Sequence, residues 1–302
     1  MRVCGKDENM EQKLAPAKPL PLTAPIAQPS PLKGDWRHWL IRNIENGVVE
    51  QTLIDAAARE IRAAWTQRSE GLKRKSEAQG YNYALGPQPL KPRDGFIHIG
   101  DRKISVLMDL AQPRIVHYSN VLSQAECEAM VALARPRLAP SQTRDRTTGQ
   151  LVVRDFRSSE GVFLKRGENP LVAELEQRLA TLAQWPLENG EGLQLLNYRS
   201  GGEYQPHFDF FPPESPTSPI SLYNGGQRVA TLIVYLNTVE EGGETVFPKL
   251  NLKFKPVQGD ALYFAYANTN NELDRMTLHG GAPVLQGDKW IMTKWMRQEK
   301  FE

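Results

Sequence analysis

The run Tyr204-Gln205-Pro206-His207-Phe208-Asp209, answered much later by His279 and then by Lys289, holds the residue types of a metal site beside an anion hook. In an extended strand, side chains two apart project to the same face, so His207 and Asp209 can share one ion while Phe208 faces away. A third ligand from His279 completes two imidazoles and one carboxylate, the set that leaves non-haem Fe(II) with open positions for small molecules. Zinc accepts similar ligands, and its hydrolytic sites also keep a position free, so the ligand set alone leaves the metal undecided. Lys289 tips the balance. Gln286-Gly287-Asp288 reads as a hairpin turn between two apolar strands, which returns Lys289 toward the metal. An ammonium there pairs with the distal carboxylate of a dicarboxylic 2-oxo acid whose 2-oxo end chelates iron, and this points to 2-oxoglutarate.

Each piece alone has a plainer reading. His207 could be a satisfied structural histidine and Lys289 a solvated hairpin residue. Order and context reverse that choice: the His-x-Asp pair sits on an apolar, aromatic strand, the third histidine ends another candidate strand, and the lysine follows across a turn. Of His38, His98, His117, His207 and His279, only spacing singles out the last two.

The run Tyr198-Arg199-Ser200-Gly201-Gly202-Glu203-Tyr204-Gln205-Pro206-His207-Phe208-Asp209 resembles the prolyl 4-hydroxylase family of Fe(II)/2-oxoglutarate dioxygenases. The similarity continues through Arg228-Val229-Ala230-Thr231, Glu241-Gly242-Gly243-Glu244-Thr245-Val246-Phe247-Pro248, and His279 to Trp295, and covers residues 114–302. The resemblance implies a mostly β fold with flanking helices (α+β), built on a double-stranded β-helix, or jelly-roll, core. The pattern itself shows only short strands punctuated by Gly and Pro turns.

By the same resemblance His207, Asp209 and His279 bind iron, and Lys289 holds the distal carboxylate of 2-oxoglutarate with help from Tyr198 and Thr245. A phenol and a hydroxyl supply the neutral hydrogen bonds that an enclosed carboxylate needs. Arg157, Ser159, Glu191, Tyr204, Arg228 and Trp295 match positions lining the family's substrate groove. Plainer roles are a solvated strand-edge charge for Arg228 and a core aromatic for Trp295. Tyr204 precedes His207 by three and on a regular strand faces the other way unless Pro206 distorts the backbone. The implied reaction uses O2 and 2-oxoglutarate to hydroxylate a prolyl residue, releasing succinate and CO2, with ascorbate as reductant. Asp209 serves as an anionic ligand; relatives that halogenate carry a small residue there, so its presence implies hydroxylation.

The elements that must position these residues begin with a proline-rich leader, residues 1–33, whose composition fits disordered polymer or a linker. Residues 34–104 form an expected helical appendage and linker. Asp35 can cap a helix bearing Trp36, Trp39, Leu40 and Ile44, and Val49, Leu53, Ala57, Ile61 and Trp65 recur at helical spacing. The catalytic domain is expected over residues 105–302, with its β-helix core over 190–300. Ile115 to Val121 alternates as a strand, Ser123-Gln124-Ala125-Glu126 is a capping box opening a helix through Ala134, and Asn169-Pro170 starts another that ends near Trp185. Phe211 to Gly226, rich in Pro, Ser and Gly, reads equally as a mobile flap or a plain surface loop.

The chain of 302 residues carries a net charge of +2 with both signs dispersed, which gives no general pull toward nucleic acid or an anionic membrane. The two cysteines, Cys4 and Cys127, the polar first ten residues and the lack of a long apolar run fit a reducing cytoplasm. Oligomeric state is not legible. Three other functions stand beside peptidyl-proline hydroxylation: oxidation of a free amino acid or other small molecule, non-catalytic binding of proline-rich peptides, and zinc hydrolysis, the last lacking an identifiable general base.

Overall fold

The computed structural model describes residues 80–144, 151–153, 158–215 and 218–302. The leader over 1–33, the paired helices expected within 34–79, and Arg157 lie outside the described residues.

Two antiparallel sheets carry the fold. The larger has nine strands, in spatial order Phe96–Ile99, Arg102–Leu110, Ile115–Ser119, Ala261–Ala265, Arg228–Tyr235, Lys289–Arg297, Gln194–Tyr198, Ser159–Phe163 and Ala139–Pro140. The smaller has four, in order Leu252–Phe254, Thr245–Phe247, His279–Gly281 and Tyr204–His207. Neighbours in sequence repeatedly cross between the sheets: Gln194–Tyr198 lies in the larger, Tyr204–His207 in the smaller, and Arg228–Tyr235 in the larger again. This mostly β architecture with helices on the flank agrees with the expected fold class.

The central strands are long apolar or β-branched runs because both faces are covered. Val229, Leu232, Val234, Tyr235, Met292 and Met296 are all buried in one core with Leu195, Phe247 and Phe264. Two helices pack into that core. In Gln124–Ala134 the Ser123 hydroxyl accepts from Glu126 N–H at 3.2 Å while the Glu126 carboxylate accepts from Ser123 N–H at 2.7 Å, the reciprocal cap expected from the sequence. In Pro170–Ala183 the Asn169 side chain accepts from Val172 N–H at 2.9 Å, and Gln184 ends the helix in the left-handed region at φ 50°. This second helix is tied to the sheet by a buried ion pair, Lys294 Nζ to Glu176 Oε1 at 2.6 Å.

Three expectations change here. The boundary at 105 falls inside the strand Arg102–Leu110, and Phe96–Ile99 is already part of the larger sheet, so the described part of 34–104 carries strands that extend that sheet. The two strands around Gln286-Gly287-Asp288 do not form a hairpin: Val284–Gln286 pairs with Glu241–Gly242, whereas Lys289–Arg297 pairs with Arg228–Tyr235 and Gln194–Tyr198. Gly287, at φ +83°, turns the chain from that two-stranded ribbon into the larger sheet. Within the segment 211–226, Ser218–Leu222 is a short helix, and Arg297 donates to the Ser221 carbonyl at 2.5 Å and to the Asn224 carbonyl.

Candidate metal and 2-oxo acid site

His207, Asp209 and His279 come together with one potential ligand atom each, all within 4.8 Å of one another, the one such cluster among the described residues. Antiparallel pairing produces it, since His279 stands directly opposite His207 in the smaller sheet. That strand ends at His207, so Asp209 is delivered by the chain just beyond it rather than by strand alternation; its Oδ1 lies 3.5 Å from His207 Nε2. His117 instead lies beside Asp260, at 3.4 Å.

The imidazoles are aimed by their backbones. His207 Nδ1 faces the Gln205 carbonyl at 2.9 Å and His279 Nδ1 the Thr277 carbonyl at 3.0 Å. A carbonyl only accepts, so each Nδ1 carries the proton and each Nε2 lone pair is free for a cation. Burial pushes the His279 imidazole down to about 4, against the upward pull of Asp209, so it is neutral at physiological pH. Burial would raise the Asp209 carboxyl, but His279, His207 and Arg228 outweigh it and hold the group well below the usual carboxylate range. Two imidazoles and one carboxylate fit a divalent transition metal of the non-haem iron type.

Lys289 and Tyr198 are partners across the larger sheet, and the ammonium sits 5.6 Å from the phenol ring centroid. Lys289 is buried, at 3% exposure, and no carboxylate stands within ion-pair distance of it among the described residues. Burial brings its ammonium down to about 8, partly opposed by the more distant Glu244. Its Nζ reaches to 3.6 Å from where a side chain at Gly281 would begin, two residues from His279. Thr245 lies opposite that same glycine and accepts a hydrogen bond from Tyr235 Oη at 2.8 Å, leaving its own proton to donate. A buried cation flanked by a phenol and a hydroxyl, close to the metal ligands, has the chemistry to accept a carboxylate.

The remaining expected residues fall around this centre. Glu191 grips Arg228 through two bonds, Nε to Oε1 at 2.6 Å and Nη2 to Oε2 at 2.9 Å, and the guanidinium carbon lies 3.8 Å from the Trp295 ring centroid. Arg228 is therefore paired and stacked, not a solvated edge charge. Trp295 is more than core filler, because its indole N–H donates to Asp209 Oδ2 at 3.0 Å. Ser159 is buried opposite Tyr198, its hydroxyl donating to Ser141 Oγ at 2.9 Å. Tyr204 corrects the strand argument: its ring stacks on His207 at 3.7 Å between centroids. Tyr204 and His207, three apart, face Gly281 and His279, only two apart; the extra residue is a bulge that turns both rings to one side.

Thr231 and Tyr266 were not foreseen. Thr231 Oγ1 donates to Asp209 Oδ2 at 2.6 Å and lies 2.9 Å from Tyr266 Oη. The available signal was a hydroxyl inside the apolar stretch 229–234 of the strand Arg228–Tyr235; nothing marked Tyr266.

Comparison with known proteins agrees with this geometry. Residues 193–297 match the model of the 2OG-Fe(II) oxygenase superfamily. "Probable prolyl 4-hydroxylase 3" of Arabidopsis thaliana is 40% identical over 210 residues, covering 63% of this chain and 71% of the relative. The chain belongs to the prolyl 4-hydroxylase family of Fe(II)/2-oxoglutarate dioxygenases. "Prolyl 4-hydroxylase 5" of the same plant is 39% identical over 222 residues, covering 67% of this chain and 74% of the relative. Among solved structures, the viral collagen prolyl hydroxylase of Paramecium Bursaria Chlorella virus-1, in its 2OG complex, matches with a TM-score of 0.49 and 29% identity over 61% of this chain and 95% of that one. Membership in this dioxygenase family implies Fe(II) as cofactor and 2-oxoglutarate and O2 as cosubstrates. No described helix is long and apolar enough to cross a membrane.

Proposed function

We propose that this dioxygenase hydroxylates prolyl residues within a peptide or protein, consuming O2 and 2-oxoglutarate and releasing succinate and CO2. The observation that carries the reading is the convergence of His207, Asp209 and His279 on one point with the buried Lys289 ammonium nearby. In this reading the triad holds Fe(II), which supplies the oxidising chemistry when bound. Lys289, Tyr198 and Thr245 anchor the distal carboxylate of the 2-oxo acid, and burial around them keeps water from competing for that carboxylate.

Glu191, Arg228, Tyr204, Ser159 and Trp295, together with Arg157, form the substrate side. Arg228, neutralised by Glu191, offers remaining N–H groups to a peptide carbonyl, a neutral-chain partner rather than a nucleic-acid phosphate. Relatives bearing the prolyl 4-hydroxylase name support peptidyl proline as the target. Ascorbate serves as reductant, and a reducing compartment such as the cytoplasm suits the free, buried Cys127.

The test incubates the protein with Fe(II), 2-oxoglutarate, ascorbate, O2 and proline-containing peptides, and reads the product by mass spectrometry. A gain of one oxygen on proline with matching succinate is expected. Oxygen on free proline alone would move the substrate to small molecules. Peptide binding without 2-oxo acid turnover would make the protein a binding module.

A further inference from the structure

The two oxygens of Asp209 stand in unlike surroundings. Oδ2 accepts from Thr231 Oγ1 at 2.6 Å and from Trp295 Nε1 at 3.0 Å and lies 3.7 Å from His279 Nε2, whereas among the described residues no donor reaches Oδ1, which faces the unprotonated His207 Nε2 at 3.5 Å. Thr231 and Trp295 are cross-strand partners on Arg228–Tyr235 and Lys289–Arg297, so their side chains leave the larger sheet on one face and reach the same atom. Trp295 is further held by the Arg228 guanidinium on its ring, and Arg228 by Glu191.

The proton order in this chain is determinate. An ionised carboxylate only accepts, so Thr231 must spend its single proton on Asp209. The hydroxyl contact between Thr231 and Tyr266 then runs one way: Tyr266 Oη donates to Thr231 Oγ1. Burial raises the Tyr266 phenol well above its ordinary value, and Asp209 raises it further, so that proton stays in place. Thr231 and Tyr266 are both fully buried, at 0% exposure, so water does not compete for these bonds.

We propose that Thr231 and Trp295, with Tyr266 setting the Thr231 proton, are positioning residues that hold Asp209 as a one-oxygen ligand. A free carboxylate can clasp a cation with both oxygens. Two charge-assisted bonds occupy Oδ2, so only Oδ1 is offered to the metal, and the position a second oxygen would take stays open for a two-point chelate by the 2-oxo acid. The inference rests on the proposed metal and 2-oxo acid site and names what keeps that site open.

The test measures Mn(II) affinity by calorimetry, and 2-oxoglutarate affinity with the charge-transfer absorption of the anaerobic Fe(II) complex, in wild type, Thr231→Val, Thr231→Ser, Trp295→Phe and Tyr266→Phe. Thermal melts report folding of each variant. In Thr231→Val, 2-oxoglutarate affinity should fall about tenfold or more and the absorption weaken, while Mn(II) affinity holds or rises. Thr231→Ser keeps the hydroxyl and should restore both; Trp295→Phe and Tyr266→Phe should shift them in the same direction by less. Wild-type 2-oxoglutarate affinity in folded Thr231→Val, or parallel loss of both ligands with no rescue by serine, would overturn the proposal. A wild-type protein indifferent to Fe(II) and 2-oxoglutarate would sink the site assignment itself, a separate failure.

Discussion

Lys289 stands opposite Tyr198 on the antiparallel strands Lys289–Arg297 and Gln194–Tyr198, so the cation and the phenol meet through sheet register rather than proximity in sequence. Because burial brings the ammonium down to about 8, the unliganded site changes charge near physiological pH. Only the protonated form attracts a carboxylate. Affinity for 2-oxoglutarate should hold below pH 8 and fall above it by up to about tenfold per pH unit, until the lysine of the complex also titrates. Calorimetry from pH 6.5 to 9.5 checks this, with Lys289→Met expected to bind weakly and without the pH dependence. For folding the sign is opposite: the unfolded lysine keeps its proton up to 10.5, so between 8 and that value the unfolded chain holds more protons and stability rises with pH.

Removing one metal ligand should abolish binding rather than trim it, because each of the three supplies a distinct direction around the ion. His279→Ala and Asp209→Ala should show no Mn(II) heat in calorimetry and no succinate formation, with melts near wild type in chelator. If His279→Ala retains metal at wild-type strength, the triad is misassigned.

Tyr204 stacks on His207, and that contact should steady the imidazole. Tyr204→Phe keeps the ring and should leave Mn(II) affinity unchanged, whereas Tyr204→Ala should lower it by about tenfold, as loss of an outer support commonly does. Equal affinity in both variants would confine Tyr204 to the substrate side.

The Lys294–Glu176 pair lies at 2% and 1% side-chain exposure and joins the Pro170–Ala183 helix to the sheet strand that also carries Lys289 and Trp295. Lys294 also donates to the Glu191 carbonyl, steadying the residue that grips Arg228. Lys294→Met should cost about 3–5 kcal/mol by stranding a buried carboxylate, and the double change with Glu176→Leu should recover much of it. Thermal melting of the four-member cycle reads both effects.

Ligand types, their order and the two capped helices were readable because they depend on local rules: His-x-Asp spacing, Ser123 with Glu126, Asn169 before Pro170. What escaped reading depends on pairing between distant strands. The partnership of Thr231 with Trp295, and the bulge that places Tyr204 on His207, exist only once register is set. Gln286-Gly287-Asp288 has hairpin chemistry, yet neighbouring edges recruit its two arms into different sheets, an outcome decided by tertiary packing. The edge at 105 was misplaced because Gly and Pro mark turns within a sheet as readily as linkers between domains.

The division of the site between the two main sheets has a mechanical corollary. His279 belongs to one sheet and Lys289 to the other, so a cosubstrate gripped at both ends becomes a strut between layers that otherwise touch through side chains. Its length gauges the gap: shorter diacids reach one wall, longer ones wedge the layers apart, and the fitting one should stiffen the whole sandwich, raising its melting point by mass action and quieting amide exchange on both faces together.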